Sequence, residues 1–546
     1  MNRSYMNTAQ KTESKHTHTG SLPGMLRGIY GSKIFPYILF FVLIYIVYFK
    51  SVLFGLTELD DKSLIFNNLA YLNSPYSVIS SFFKSVFNDP ADSFYRPFLT
   101  ISWVIDTIAG GGKLWVYHFS NVFYHFISVC ILFSLLKNLN INRNRALVFT
   151  AFFAVLPVLN QAVSWIPGRN DSLLAAFIFS SFLFFVKYNN FGKFRYLTLS
   201  GILFLGALFT KETAAAAFIV FPAYLFLCGK GNYKNKITIS VLMMAACVAL
   251  WHLMKSSFSG GLDIFTLAGF CKAAAIKLVP ATLQYVAKIF LPVNLKVMPQ
   301  LSLFDSLAGL LIVAVLALLV VRSSGVNRKV IIFACLWFFF FLFPAYFQSN
   351  YFMLEHRTYV PLLGIILILN EIRIPSVSKK TGFCVCLVYF VFFIFVSVVN
   401  TGKFADKNSF AAAALNETRN NTKINYLYAR TFLGTDNAQI SDFFMKKDYT
   451  DLSMRKKIEE NFNGAYHGIY SWQRGDIQTA KKYLIIAAEK NTEIHQVYAV
   501  LANIFLSEGK YDMAISNIKK AFKLKSENNE YYRYMKLCFN IRNNKI

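Results

Sequence analysis

Acidic residues are scarce in this chain. Asp and Glu number 28 against 56 Lys and Arg, and charged residues make up only 15% of the 546 positions. Soluble globular domains usually carry about 25% charged residues, so the composition excludes an ordinary soluble protein. No two cysteines form a CxxC pair, which argues against a zinc site or a disulfide framework. The basic residues alternate with apolar segments instead of forming one patch, so we expect no nucleic-acid partner.

Apolar residues dominate instead. They account for 55% of the chain, the mean hydropathy is +0.43, and Phe alone occurs 57 times. Many of the apolar runs approach about 20 residues, the length a helix needs to cross about 30 Å of hydrocarbon. The sequence therefore predicts an all-α polytopic bundle of about eleven spans. The predicted spans are 34–56, 117–136, 146–164, 172–187, 196–210, 213–228, 237–254, 305–321, 330–347, 359–370 and 381–400.

The loop charges predict how this bundle is oriented. Residues 1–33 form a polar, basic tail, and the first apolar run has no small-residue cleavage site, so we expect a cytoplasmic N-terminus and a retained first helix. Every second loop then carries basic residues and almost no acid, as cytoplasmic loops do. This orientation places a large loop, 57–115, on the outer face. The short loops favour a bacterial inner membrane. The stretch Leu267–Leu291, with its lysines, is more typical of an interfacial or re-entrant helix.

After Asn400 the composition becomes mixed and charged, which predicts a separate outer domain over 401–546. Small residues recur there with a period of 34 residues, typical of tetratricopeptide repeats; a generic helical hairpin is the alternative. The recurring residues are Gly475, Ala480 and Ala487, then Gly509, Ala514 and Ala521. We expect this domain to bind an acceptor or partner without doing chemistry.

Charged residues at a membrane boundary are costly and tend to be functional. Just past the first span, the segment Glu58–Asp61 contains the adjacent carboxylates Asp60 and Asp61. Such a pair can act as a general base or hold a divalent metal, because burial and like charge raise one pKa. The alternative is a solvated helix end that merely stops the span.

Four cations share the predicted outer face and suit an anionic ligand such as a phosphate: Arg96, Arg169, Lys211 and Arg357. The supporting residues near them in sequence are Asp171, Glu212, Glu355, His356 and Tyr359. Structural ion pairs are an equally good interpretation of any one of them. His118 and His125 are also candidates for substrate contact, although packing within their helix is the more common role for such residues.

These motifs occur in a recognisable order: YRPFLTISW, YHFSNVFYHFISVCILFSLLK, PVLNQAVSWIPGRNDSLLAA, LFTKETAA and EHRTYVPL, followed by the repeats. The chain resembles the transmembrane-and-tetratricopeptide O-mannosyltransferase-like proteins of the C-type glycosyltransferase superfamily. The resemblance implies a polyprenyl-phosphate-linked sugar as donor substrate and an essential carboxylate at Asp60 or Asp61, with Asp60 slightly favoured. It also implies that Arg169, Lys211 and Arg357 hold the leaving phosphate. Leu156-Pro157 departs from the His-Pro often found in this family, so any role of that His is absent.

We therefore predict an inverting membrane glycosyltransferase that transfers a sugar to a hydroxyl of a protein or cell-envelope glycan. Its partners would be the lipid-linked donor, the acceptor and membrane lipid, and a divalent metal is left open. Two alternatives remain at this point. A flippase for a lipid-linked substrate would show charges midway through its spans and duplicated halves. A non-catalytic repeat scaffold would need neither the carboxylate pair nor Lys211-Glu212.

Overall fold

A computed structural model describes most of the membrane half of the chain and part of the C-terminal region. The described residues are 32–57, 60–86, 94–256, 267–346, 353–373, 378–417, 468–469, 471–472, 476–489, 495–524, 535, 537–539 and 542. Within them the chain forms α-helices and 3-10 helices joined by turns, and no β-strand. The predicted all-α fold class is confirmed. Glu58, Gly475 and most of the predicted N-terminal tail lie outside the described residues.

The α-helices follow the apolar runs of the sequence. Their bounds are Phe35–Tyr48, Asp60–Leu64, Leu69–Leu72, Ser77–Ser80, Pro97–Gly110, Leu114–Asn138, Arg143–Val155, Asn160–Ser164, Arg169–Phe191, Phe194–Leu208, Ala217–Cys228, Tyr233–Ser256, Leu267–Phe290, Leu303–Arg322, Arg328–Leu342, Leu362–Glu371, Lys379–Thr401, Lys407–Glu417, Ile477–Glu489, His495–Ser507 and Tyr511–Leu524. Short 3-10 helices extend or join several of them, including Ile166–Gly168, Glu212–Ala216 and Glu355–Thr358.

Seven helices in the described part of the chain are long and apolar enough to cross a membrane. They are Phe35–Leu53, Leu114–Asn138, Ile166–Phe191, Tyr233–Lys255, Leu303–Arg322, Arg328–Tyr346 and Lys380–Phe404. The pair Arg143–Val155 and Pro157–Ser164 makes an eighth if it is one span bent by 49°. The bend falls where Leu156 precedes Pro157, because proline has no N–H to donate and disfavours helical geometry in the residue before it.

The remaining three predicted spans coincide with shorter apolar helices, Phe194–Leu208, Glu212–Cys228 and Leu362–Glu371. The number of full-length spans is therefore smaller than the eleven predicted, although every predicted span contains a helix. The interfacial segment predicted at Leu267–Leu291 is a helix with Pro280 in its interior, and its part Leu278–Phe290 is again short.

Polar side chains begin the helices that follow the basic loops. Asn142 accepts a hydrogen bond from the backbone N–H of Asn144, and Asn327 accepts one from that of Lys329. Ser378 does the same for Thr381. Each cap satisfies an amide group that has no partner within its own helix.

The hairpin of helices Leu267–Phe290 and Leu303–Arg322 is tied by polar contacts. Lys288 Nζ lies 3.0 Å from Asp305 Oδ2, and both side chains are largely buried. Gln284 accepts a hydrogen bond from Ser302 N at 2.8 Å. The backbones approach so closely at Gly309 that a Cβ there would lie 1.8 Å from the carbonyl oxygen of Leu283. Only glycine fits at this crossing.

Gly309→Ala is therefore expected to lower stability by about 1–3 kcal/mol, because the two helices must separate to admit a methyl group. Thermal unfolding in detergent measures the change. Gly402→Ala is the matched control, since a Cβ at Gly402 would meet nothing within 4 Å. Equal unfolding temperatures for both variants would contradict the close approach.

The segment predicted as the large outer loop packs as short helices against Pro97–Gly110. Leu64, Ile65 and Leu72 share a buried cluster with Trp103 and Tyr117. This apolar contact fixes the helix Asp60–Leu64, and with it the two carboxylates, against the body of the bundle.

The C-terminal helices form a small core of their own around buried small residues. Ala480, Ala502, Ala514 and Ala521 are 0% exposed. Gly509 follows the helix His495–Ser507 with a φ of +72°, a left-handed conformation that favours glycine. The described helices fit the predicted small-residue pattern, while their assignment as tetratricopeptide repeats stays a prediction.

Candidate active site

Asp61 is fixed by its neighbours in the segment that follows the first helix. Its side chain is buried, and Oδ2 accepts hydrogen bonds from both the backbone N–H and the hydroxyl of Thr57, each at 2.6 Å. Trp165 Nε1 donates to the same Thr57 hydroxyl at 3.0 Å. Among the described residues, Asp61 Oδ1 is buried without a hydrogen-bond partner. The hydrogen bonds from Thr57 thus hold only one of the two carboxylate oxygens of Asp61.

Asp60 is half-buried beside Asp61 and faces the charge of Arg96. Burial raises the pKa of Asp60 to about 6, and the Arg96 charge opposes that rise. Burial also raises the pKa of Asp61 to about 7, against the stabilising hydrogen bonds from Thr57. Carboxyl groups with such pKa values can exchange a proton near neutral pH.

Arg96 connects the acidic pair to the Lys211-Glu212 insertion. Its guanidinium donates to Glu212 through Nε, at 3.2 and 3.3 Å, and through Nη2, at 2.9 Å. This is the two-pronged geometry that makes arginine–carboxylate pairs strong. Neither side chain is fully buried, at 11% and 27% exposure, so the pair remains open on one side.

A second ion pair lies next to the first. Lys211 Nζ is 2.7 Å from both carboxylate oxygens of Asp171 and 3.1 Å from Asn170 Oδ1. Burial lowers the pKa of Lys211, and Asp171 opposes that effect. The charges of Arg96 and Arg357 also reach Lys211. The charged insertion between two apolar helices therefore folds inward onto Asp171.

His356 continues this network. Its Nε2 lies 3.5 Å from Asp171 Oδ2, and its Nδ1 lies 2.8 Å from Gln161 Oε1. Burial, together with the charges of Lys211, Arg357 and Arg96, lowers the pKa of His356 well below 6.5. The ring of Trp165 is centred 6.4 Å away. Trp165 thus lies between the acidic pair and the basic cluster.

The residues on either side of His356 are held by backbone groups of other segments. Arg357 donates to the carbonyl of Ala345 at 3.2 Å, and its charge reaches Tyr285 as well as Lys211. Glu355 Oε1 accepts from the backbone N–H of Lys296 at 3.2 Å.

Arg169 is placed differently from the other three cations. It is 0% exposed, and its Nη2 lies 2.5 Å from Asp106 Oδ2. Its hydrogen bonds go to Asn121 Oδ1 at 2.7 Å, Ser102 Oγ at 3.1 Å and the Tyr117 carbonyl at 2.7 Å. Gly168, which precedes Arg169, permits a close approach of two backbone segments, because a Cβ there would lie 2.2 Å from the Gln161 carbonyl oxygen. Protein acceptors thus engage all three guanidinium nitrogens, and the side chain is fully buried.

Tyr359 lies in the apolar core, where its hydroxyl is 2.5 Å from His125 Nδ1. His125 Nε2 is 3.1 Å from the Ala154 carbonyl, and His118 Nε2 is 3.3 Å from that of Gly55. Both histidines are buried and packed within the fold, as the more common interpretation of such residues holds.

The structure therefore gathers most of the predicted site residues into one charged cluster. These are Asp60, Asp61, Arg96, Asp171, Lys211, Glu212, His356 and Arg357, with Glu355 beside them. It also adds residues that the sequence analysis missed: Thr57, Gln161, Trp165, Asn170 and Tyr285. These are neutral side chains, and no charge at a span boundary marked them.

The described part of the chain contains no group of three or more His, Cys, Asp or Glu side chains placed to hold a metal ion. What the cluster does offer is a proton acceptor on one side and cations on the other. That arrangement can activate a hydroxyl and stabilise negative charge on a departing phosphate.

The chain is similar to known transferases. Residues 97–258 match the family described as dolichyl-phosphate-mannose-protein mannosyltransferase. The human protein O-mannosyl-transferase TMTC3 is 22% identical over 564 aligned residues, which cover 89% of this chain and 60% of TMTC3. The Drosophila melanogaster protein O-mannosyl-transferase Tmtc1 is 30% identical over 135 residues, or 25% of this chain and 15% of that protein.

This chain thus spans about 60% of the length of the human relative, and a smaller part of the fly protein. The family match covers Asp171, Lys211 and Glu212 but begins just after Arg96. Along most of its length the chain is similar to the transmembrane-and-tetratricopeptide O-mannosyl-transferases, and the resemblance predicted from its motifs is confirmed.

Proposed function

We propose that this protein is a membrane glycosyltransferase that moves a sugar from a polyprenyl-phosphate-linked donor to a hydroxyl of a protein or cell-envelope glycan. The observation that carries the proposal is the meeting of Asp60 and Asp61 with the ion pairs Arg96–Glu212 and Lys211–Asp171. The relatives, which are protein O-mannosyl-transferases by name, support mannose as the sugar and a protein as the acceptor.

In this proposal Asp60 is the general base. It is the more exposed of the two carboxylates, and its pKa of about 6 leaves it mostly ionised at neutral pH while still able to accept a proton. It takes the proton of the acceptor hydroxyl as the hydroxyl oxygen attacks the sugar carbon. The bond from that carbon to the phosphate oxygen breaks on the opposite side, which inverts the configuration. Asp61, held by Thr57, positions the pair.

The phosphate leaves with an additional negative charge, which nearby cations stabilise. We assign this role to Lys211, Arg357 and Arg96, whose charges act on one another across the site. Arg169 has a supporting role, because protein acceptors already engage its guanidinium.

The proposal includes a location. The basic loops favour a cytoplasmic N-terminus, which places the site and the C-terminal helices on the outer face of a bacterial inner membrane. The C-terminal domain would then recruit the acceptor.

The direct test uses the purified full chain in lipid nanodiscs, polyprenyl-phosphate mannose carrying a radiolabelled sugar, and an extract of envelope proteins and glycans as acceptor. We expect label in membrane protein or glycan and release of polyprenyl phosphate; the matching sugar nucleotide serves as the negative-control donor. Mass spectrometry of envelope proteins and glycans with and without the gene then names the sugar and acceptor. Movement of the lipid-linked sugar between leaflets without any transfer would favour a flippase instead.

The pH dependence should follow Asp60. A base must be ionised to accept a proton, so transfer is expected to fall about tenfold per pH unit below pH 6. Arg96→Gln removes the charge that lowers the Asp60 pKa, and the acid limb should move to higher pH. Glu212→Gln frees Arg96 to act on Asp60, and the limb should move to lower pH. The readout is the position of the limb in transfer rate against pH, and shifts in the same direction for both variants would contradict this assignment.

A further inference from the structure

His356 is held in a single tautomer by its neighbours. Gln161 Nε2 donates to the Val297 carbonyl at 3.1 Å, which directs Gln161 Oε1 towards the imidazole. That oxygen can only accept a hydrogen bond, so Nδ1 of His356 carries a proton and donates it. Nε2, on the other side of the ring, therefore has a lone pair when the histidine is neutral.

That lone pair faces a carboxylate. His356 Nε2 lies 3.5 Å from Asp171 Oδ2, and two acceptors that face each other cannot form a hydrogen bond. If Nε2 is protonated, the imidazolium and the Asp171 carboxylate can form an ion pair. Asp171 is occupied instead by Lys211, which lies 2.7 Å from both of its oxygens.

The polar and charged groups around His356 lie on several elements of the fold. Lys211 precedes the helix Glu212–Ala216, Asp171 and Gln161 lie on two further helices, and Arg96 precedes a fourth; Arg357 is on the same turn as His356. Tyr285, on the helix Leu267–Phe290, is near Arg357 and Asp171. Besides burial, the three cations lower the pKa of His356, so an anion that neutralises them favours its protonation.

We propose that binding of the donor phosphate is coupled to uptake of one proton at His356 Nε2. The Asp171 carboxylate then pairs with the protonated His356 instead of Lys211, and Lys211 becomes free to bind the phosphate. The proton comes from water, and no covalent bond other than N–H forms. His356 is thus a positioning residue that acts through Lys211. The inference rests on the proposed function, because it takes a polyprenyl phosphate group as the ligand.

The coupling can be measured by binding alone, without transfer. The probe is a short-chain polyprenyl methyl phosphodiester, which has no proton to exchange near neutral pH. Isothermal titration calorimetry in buffers of different ionisation enthalpy counts the protons taken up. The Asp60→Asn/Asp61→Asn background removes the two other carboxyls that titrate in this range.

We expect uptake approaching one proton at pH 7 and binding that weakens by up to about tenfold per pH unit as pH rises. His356→Gln should abolish both effects, while the same change at exposed His252 should leave them intact. If His356→Gln does not fold, Asp171→Asn tests the same step, since it removes the partner of the imidazolium. Unchanged proton uptake in a folded His356→Gln protein overturns the inference. A wild-type chain that binds no phosphodiester, or a background that binds it without proton uptake, overturns it too, and the first of these also removes the donor site of the proposed function.

Discussion

The double substitution Asp60→Asn/Asp61→Asn is expected to reduce sugar transfer by at least about 100-fold, since a positioned general base contributes about 10²–10⁴ to a rate. Asparagine keeps the size of each side chain but cannot take the hydroxyl proton. The measurement is release of polyprenyl phosphate from the radiolabelled donor by the purified variant. Asp60→Asn alone should account for most of the loss.

The matched control is Asp512→Asn, at a carboxylate that is 79% exposed on a C-terminal helix. It should transfer sugar at the wild-type rate. Retained phosphodiester binding by the double variant would show that the site is intact and only the proton acceptor is missing. Full transfer activity in a double variant that folds would end the glycosyltransferase proposal.

The second large effect concerns Arg169. Arg169→Met is expected to destabilise the protein by about 3–5 kcal/mol, because it leaves Asp106 buried without its ion-pair partner. The loss should appear as a lower unfolding temperature in detergent and a poor yield of monodisperse protein. Arg195→Met, at an exposed position, is the control and should change little.

A compensating variant separates the two roles of Arg169. Arg169→Met/Asp106→Leu removes both buried charges and should regain part of the stability lost by the single change. If Arg169 only supports the fold, transfer should recover along with stability. A stable double variant that transfers no sugar would favour direct contact between Arg169 and the donor phosphate, as the sequence motif first suggested.

The bundle was predictable because its signal is spread over many residues. Every predicted span contains an apolar helix, since a run of Leu, Ile, Val and Phe tolerates small errors in its ends. What the sequence analysis misjudged is that the predicted spans 196–210, 213–228 and 359–370 form helices shorter than a full span. The charged pair Lys211-Glu212 interrupts one apolar stretch. In another, the helix begins only at Leu362, after the 3-10 helix Glu355–Thr358.

The site was predictable only in part, for a physical reason. Charge at a membrane boundary marks a residue as unusual, and this criterion found Lys211, Asp171 and His356. It cannot distinguish a partly exposed cation from one that is buried among protein acceptors. Arg169 and Arg96 therefore looked alike in the sequence, although their side chains are 0% and 11% exposed. Nor can it find Gln161, whose amide sets the tautomer of His356. The orientation of that amide depends on the carbonyl of Val297, 136 residues further along the chain.

The short helices have a consequence for the surrounding lipid. Phe194–Leu208 has 15 residues and is thus about 22 Å long, well under the roughly 30 Å of a bilayer's hydrocarbon core. Its outward side chains Phe194 and Ile202 are 66% and 62% exposed, which places this helix at the periphery of the bundle. Bilayers can accommodate a short span by thinning locally, so we expect the leaflet to be thinner beside Lys211, which follows this helix. We therefore expect the thickness of the membrane to affect how readily a lipid headgroup reaches the charged cluster.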